Sequence, residues 1–120
     1  LGDVYKRQSL SKHITKAVNL LQPANSLSIL LNARKPSAAD FQVWVRVADA
    51  EENLFEKSWT QAVQIGTVPK SELGFQDYEF TNNGRFSTEA FMSYQVKIVM
   101  TSTNTSTPPL FRDLRVIATV

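Results

Sequence analysis

The stretch Phe41-Gln42-Val43-Trp44-Val45-Arg46-Val47 constrains this chain more than any other, because two classes of side chain alternate along it. Side chains leave a β-strand to opposite faces with a period of two. The pattern therefore buries Phe41, Val43, Val45 and Val47 and turns Gln42, Trp44 and Arg46 the other way. Tyr94 to Met100 repeats the device, with Tyr94, Val96, Ile98 and Met100 inward. From Leu110 to Val120, Leu114, Val116, Ala118 and Val120 alternate with Asp113, Arg115, Ile117 and Thr119.

Shorter segments carry the same signal. His13 to Leu20 sets Ile14, Val18 and Leu20 on one side, and Leu27 to Ala33 does so with Leu27, Ile29 and Leu31. Gln76, Tyr78 and Phe80 alternate with Asp77 and Glu79, and Ala62 to Ile65 reads as one more strand. Turn signals separate them at Gln22-Pro23-Ala24-Asn25, Lys35-Pro36-Ser37, Asn82-Asn83-Gly84 and Thr107-Pro108-Pro109. No stretch repeats apolar residues at helical spacing, and Asp49 to Trp59 has room for one helical turn at most. Strands without helices to cover them must bury one sheet against another. The expected fold is all-β: a two-sheet antiparallel β-sandwich with jelly-roll topology. Pro108-Pro109 suits a crossing loop that enters the last strand, since proline cannot donate to a ladder in mid-strand. The Ser/Thr/Asn run from Thr101 to Thr107 reads as a solvated loop.

Composition narrows the function. With 120 residues, 42% of them hydrophobic, the chain can bury one core of its own. It has no cysteine, which removes disulfides, thiolate chemistry and cysteine-bound metal together. No apolar run approaches the roughly 18 residues a membrane helix needs. A net charge of +2 is too small for an electrostatic nucleic-acid binder. Neither a membrane nor a nucleic acid is an expected partner.

Leu1 to Gln8 (LGDVYKRQ) resembles a translated sequencing-adapter scar, and it lacks the order of basic, apolar and small residues of a signal peptide. The domain is accordingly expected to run from Ser9 to Val120, as the C-terminal part of a longer chain. Without Asp3, Lys6 and Arg7 the net charge falls to about +1.

Candidate chemistry is sparse. The one histidine, His13, sits beside Lys12 and reads as an exposed strand residue, with no partners announced for a catalytic triad or a metal. The four glycines are scattered and form no phosphate-binding motif. Asp49, Glu51, Glu52 and Glu56 lack the spacing and turn glycine of a calcium loop and read as a solvated hairpin loop. Asp77 and Glu79 share one short strand face, too close to act as a hydrolase pair. Asn104-Thr105-Ser106 matches a glycosylation acceptor. No catalytic residue, metal ligand or cofactor is expected. Trp44 and Arg46 on the polar face of their strand, with Trp59 and Tyr78 nearby, form the candidate interface or glycan platform. Lys12, Lys16, Arg34 and Lys35 add a basic character to the early strands that suits a protein interface.

A resemblance covers Ser11 to Val120. Ser11-Lys12-His13-Ile14-Thr15-Lys16 leads to Leu27–Pro36 (LSILLNARKP) and then to Phe41–Val47 (FQVWVRV). Phe55-Glu56-Lys57-Ser58-Trp59, Tyr78-Glu79-Phe80, Tyr94–Ser102 (YQVKIVMTS) and Pro108–Ala118 (PPLFRDLRVIA) follow. This order resembles a domain of virion structural proteins of tailed phages, especially contractile-tailed phages of marine cyanobacteria. It is also similar to the galactose-binding-like jelly rolls, a class that includes discoidin-like and carbohydrate-binding modules. The phage resemblance implies a baseplate, tail or fibre component in the virion, assembled in the bacterial cytoplasm. Such a component works by contact with other tail proteins or with copies of itself, and it has no catalytic residues. The second resemblance implies a carbohydrate-binding module whose exposed aromatics hold a glycan.

Overall fold

The computed structural model describes residues 8–35, 39–66, 68, 74–81, 90–102 and 109–119. The adapter-like residues 1–7, the turn at 82–84, the sequon at 104–106 and most of the Ser/Thr/Asn run lie outside them. Among the described residues nine strands follow one another: β1 (Gln8–Ile14), β2 (Val18–Ala24), β3 (Ser26–Arg34), β4 (Ala39–Ala48), β5 (Thr60–Gln61), β6 (Val63–Ile65), β7 (Gln76–Thr81), β8 (Phe91–Ser102) and β9 (Leu110–Thr119). A single 3-10 turn at Leu54–Glu56 stands in the Asp49–Trp59 segment, where the sequence has room for one turn.

The strands form two antiparallel sheets packed face to face, so the chain is an all-β sandwich. Sheet 1 runs β1-β8-β4-β5, with β2 also on β8, and sheet 2 runs β6-β7-β3-β9. The alternation of the sequence is what fills the space between them. Val43, Val45, Val96 and Ile98 of sheet 1 meet Leu27, Ile29, Leu31, Tyr78 and Phe80 of sheet 2 in one core. Each fully buried aliphatic residue contributes roughly 1.5–3 kcal/mol, so the two inward rows supply most of the cohesion.

Three expectations need correcting. His13 to Leu20 is not one strand: β1 and β2 share the same edge of β8 and break at Thr15–Ala17. Thr15 fills the gap, since its N–H donates to the Val96 carbonyl (2.9 Å) and its Oγ1 accepts from the Val96 N–H (3.0 Å). The break changes the phase, so Val18 and Leu20 pack on the core while Ile14 faces outward and is 50% exposed. The Gln22–Asn25 turn is shorter than its composition suggests. β2 reaches Ala24, with Leu20–Pro23 bulged out of the ladder so that Pro23 owes β8 no hydrogen bond and Leu21 stands in solvent. Thr101 and Ser102 are not solvated either: they end β8 and are buried.

β8 departs from simple alternation. Besides its inward row, Gln95, Val99 and Thr101 on its outer face are also buried. The register explains this, because Lys12 and Gln42 flank Val99, and Trp44 flanks Lys97. Long side chains on both neighbours shield a central strand that an edge strand would leave wet. β9 lies at the edge of sheet 2, and it keeps the strict alternation of half-buried and exposed positions after Asp113.

Candidate functional site

The outer face of sheet 1 gathers the residues with the most distinctive chemistry. Trp44 and Arg46 leave β4 outward, and Gln95 and Lys97 stand opposite Arg46 and Trp44 on β8. Gln61 of β5 pairs with Trp44, and the same register carried one step further sets Trp59 across from Arg46. The loop between β4 and β5 completes the face. Asn53 starts its 3-10 turn by accepting the Phe55 N–H on its side chain (3.1 Å). Leu54 is buried beneath, which leaves Phe55 turned outward and 64% exposed.

Rings and cations then alternate. The Arg46 guanidinium lies 5.4 Å from the Phe55 ring centre and 4.4 Å from that of Trp59. The Lys97 ammonium lies 4.6 Å from the Trp59 centre and 5.6 Å from that of Trp44. The sequence Phe55–Arg46–Trp59–Lys97–Trp44 is a ladder of four cation–π contacts, each worth about 0.5–1 kcal/mol at an exposed site. Hydrogen bonds hold its rungs. Arg46 donates from Nε and Nη2 to Gln95 Oε1 (2.9 and 2.6 Å) and from Nη1 to the Phe55 carbonyl (3.3 Å). Gln95 in turn donates from Nε2 to the Thr15 carbonyl (2.8 Å), and Trp44 Nε1 donates to Gln42 Oε1 (3.3 Å).

Charge is divided on this face: the loop between β4 and β5 carries Asp49, Glu51, Glu52 and Glu56, whereas the strand positions nearest the ladder carry cations. Among the described residues, the outward strand positions around the ladder are Lys12, Ile14, Gln42, Gln61, Gln95 and Val99, with no carboxylate among them. Burial lowers the Lys97 pKa below the ordinary lysine value, and the nearby positive charges of Lys12 and Arg46 lower it further. The fold thus holds this positive charge at some cost to itself.

Of the four platform residues named from the sequence, Trp44, Arg46 and Trp59 come together here and Tyr78 does not. Tyr78 belongs to sheet 2, points inward, is 1% exposed and meets Phe41 edge-on at 6.3 Å. Its alternation with Asp77 and Glu79 had already fixed it as a core residue once the sheets are apposed. Lys97 and Phe55 join the face although their own segments do not announce them, and Ile14 joins it because of the phase shift after β1. Lys97 was legible only through the β4–β8 register, and Phe55 only through the cap that turns it outward.

The remaining candidates fall where plain chemistry puts them. His13 meets Phe111 of the opposite sheet edge-on at 5.3 Å. The acidic loop ties itself: the Asp49 N–H donates to Glu52 Oε1 (2.9 Å), and Lys57 pairs with Glu52. Among the described residues no group of three His, Cys, Asp or Glu side chains could hold a metal ion, and no helix is long and apolar enough to cross a membrane. On the outer face of sheet 2, Asn32 donates to Asp77 (2.7 Å) and accepts from Arg112 Nε (2.7 Å). Asn32 and Asp77 border an open concavity of about 340 Å³ with Leu30, Leu31, Asp113 and Arg115. Compared with known proteins, the chain matches no family model, no curated protein and no solved structure.

Proposed function

We propose that this chain is a contact module that assembles with other proteins through the outer face of sheet 1 and carries out no chemistry itself. The observation that carries the reading is the Phe55–Arg46–Trp59–Lys97–Trp44 ladder, with exposed Ile14 on the same sheet face. Tryptophan and arginine dominate the binding energy of protein interfaces, especially where neighbours hold them rigid before the partner arrives. Here a twelve-residue central strand and the Gln95 amide do the holding. The Trp59 ring is already contacted by two cations, which favours a protein partner over a sugar stacked on a free ring face.

The finer assignment is a structural component of a tailed-phage virion, in the baseplate, tail or fibre. It rests on the resemblance of the strand order and of the YQVKIVMTS and RDLRVIA segments. A jelly-roll topology accompanies it. Nested pairing of β3 with β9, β4 with β8 and β6 with β7 supports that topology, and the pairing of β3 with β7 joins two of these pairs into sheet 2.

Co-expression with the proteins encoded beside it in a longer genomic assembly tests the assignment. The expected result is a stable complex with a tail protein, weakened by at least tenfold in Phe55→Glu and Ile14→Glu, both of them at exposed positions. If no neighbour binds, and a glycan array instead gives a signal that Trp44→Ala and Trp59→Ala abolish, the module is a carbohydrate binder and the assembly reading is wrong.

A further inference from the structure

The second surface of interest is a strand edge. Among the described residues β9 is hydrogen-bonded only to β3, so one side of a ten-residue strand has no strand beside it. Such an edge is a template for another chain unless charge, proline or a bulge blunts it. β9 has those devices only in its first half. Its register with β3 slips at Arg112, and Asp113 and Arg115 are charged, whereas Val116-Ile117-Ala118-Thr119 carries no charge, proline or glycine. Ile117 lies in this unguarded half and is 47% exposed, between the polar Arg115 and Thr119 of the same strand face.

We infer that β9 pairs antiparallel with β9 of a second copy about a twofold axis at Val116, joining two four-stranded sheets into one. The pattern of β9 selects this register from the alternatives. Residues directly opposite in an antiparallel pair share a face, so the axis must pass through a residue and not between two. Regular pairing is confined to the bulge-free stretch from Asp113 to Thr119, whose register with β3 is unbroken. An axis at Leu114 brings only Asp113 to Arg115 into register. One at Arg115 opposes the two Arg115 side chains, and like charges directly opposite destabilise a sheet. An axis at Ile117 leaves out Asp113 and Leu114. Only the axis at Val116 pairs the whole stretch from Asp113 to Thr119.

That register also accounts for Ile117. It lies opposite Arg115 of the second copy, whose aliphatic stem covers it while the guanidinium stays in water. Arg115 keeps Asp113 of its own strand as counter-charge, at 4.0 Å with both side chains largely exposed. On the inner face Leu114, Val116 and Ala118 are half-buried, and they continue the core row across the joint. The interface is isologous, as closed dimers require.

The register gives opposite signs to two substitutions at one site. Sedimentation velocity of the full chain from about 1 µM to about 1 mM covers weak and strong self-association. The unaltered protein is expected to dimerise. Ile117→Arg sets two like-charged pairs across the joint and weakens the dimer at least tenfold. Ile117→Glu sets two Glu–Arg pairs there and tightens it roughly threefold to tenfold. The exposure of Ile117 makes both changes tolerable to the fold, and circular dichroism checks this. A protein monomeric throughout, equal weakening by both substitutions, or a dimer indifferent to both would each overturn the inference. Phe55→Glu, on the opposite sheet, leaves the dimer intact, so failure here is distinct from failure of the proposed assembly face.

Discussion

The outer faces of the two sheets use the same kinds of residue to different ends. On sheet 1, Arg46 sits between two rings and spends its three donor nitrogens on Gln95 and the Phe55 carbonyl. On sheet 2, Arg112 lies over Phe75 at 4.3 Å and donates Nε to Asn32, beside the exposed Asp77 and Asp113. The first cation is locked by a partner that is itself buried. The second belongs to a solvated network of mixed charge, in which water can replace any one member. What separates a preorganised face from an ordinary polar one is the burial of the acceptor, not the count of aromatic and charged residues.

Removing each arginine puts the contrast at risk most directly. Arg46→Ala strips the buried Gln95 oxygen of both its donors, Phe55 of its cation and Trp59 of one of its two, and it should cost about 2–3 kcal/mol. Arg112→Ala on the wet face should cost at most about 1 kcal/mol. Urea unfolding of the two variants measures the gap, and equal losses would mean that the two faces are alike.

A smaller effect is expected from Trp59→Ala. It removes the ring shared by both cations, so the loop from Asp49 to Ser58 keeps Leu54 and the Arg46–Phe55 contacts as anchors but loses the middle of the ladder. A global loss of about 1–2 kcal/mol is expected, together with faster proteolysis within the loop. Slow cleavage matching that of the unaltered protein would show that the ladder does not hold the loop.

Lys97→Met should have the smallest effect, and its signature is in the pH dependence. The folded-state pKa of Lys97 is lowered, so its ammonium is disfavoured in the fold. This penalty is present at neutral pH and disappears as pH rises from the folded value toward the ordinary 10.5. Tyr78 and Tyr94 act oppositely. Burial raises their pKa values, so the stability they confer is full below about pH 10 and is lost as pH rises further. Both tyrosines are unchanged in the variant, so the difference in stability between the two proteins isolates Lys97. That difference should shift in favour of the unaltered protein as pH rises, and a constant difference would remove like-charge crowding from the account of this face.

The sequence carried the architecture further than the site. β4, β8 and β9 were legible because each alternates over seven residues or more, and period two has no helical reading. The phase of β1 and β2 was not, because Ile14, Val18 and Leu20 stand at even separations and hide the phase shift at the break that Thr15 bridges. Trp44 and Arg46 were legible from one strand alone. Lys97 needed the pairing of two strands some fifty residues apart, which no local pattern encodes. The misplacement of Tyr78 has the same origin: it lies on the inward row of its own strand, and only the sheet assignment shows that this row faces away from Trp44.

The position of β8 has a consequence for how the chain is made. β1, β2 and β4 all pair with a strand that begins only at Phe91. As the chain leaves the ribosome, sheet 1 has no centre until most of it has been synthesised, and Val43, Val45 and Val18 wait without the neighbour that will cover them. Pairings this distant in sequence make folding slow and leave apolar strands exposed to aggregation in the interval. Nascent chains cut short before Phe91 should therefore bind holdase chaperones, and extending them through Ser102 should release them.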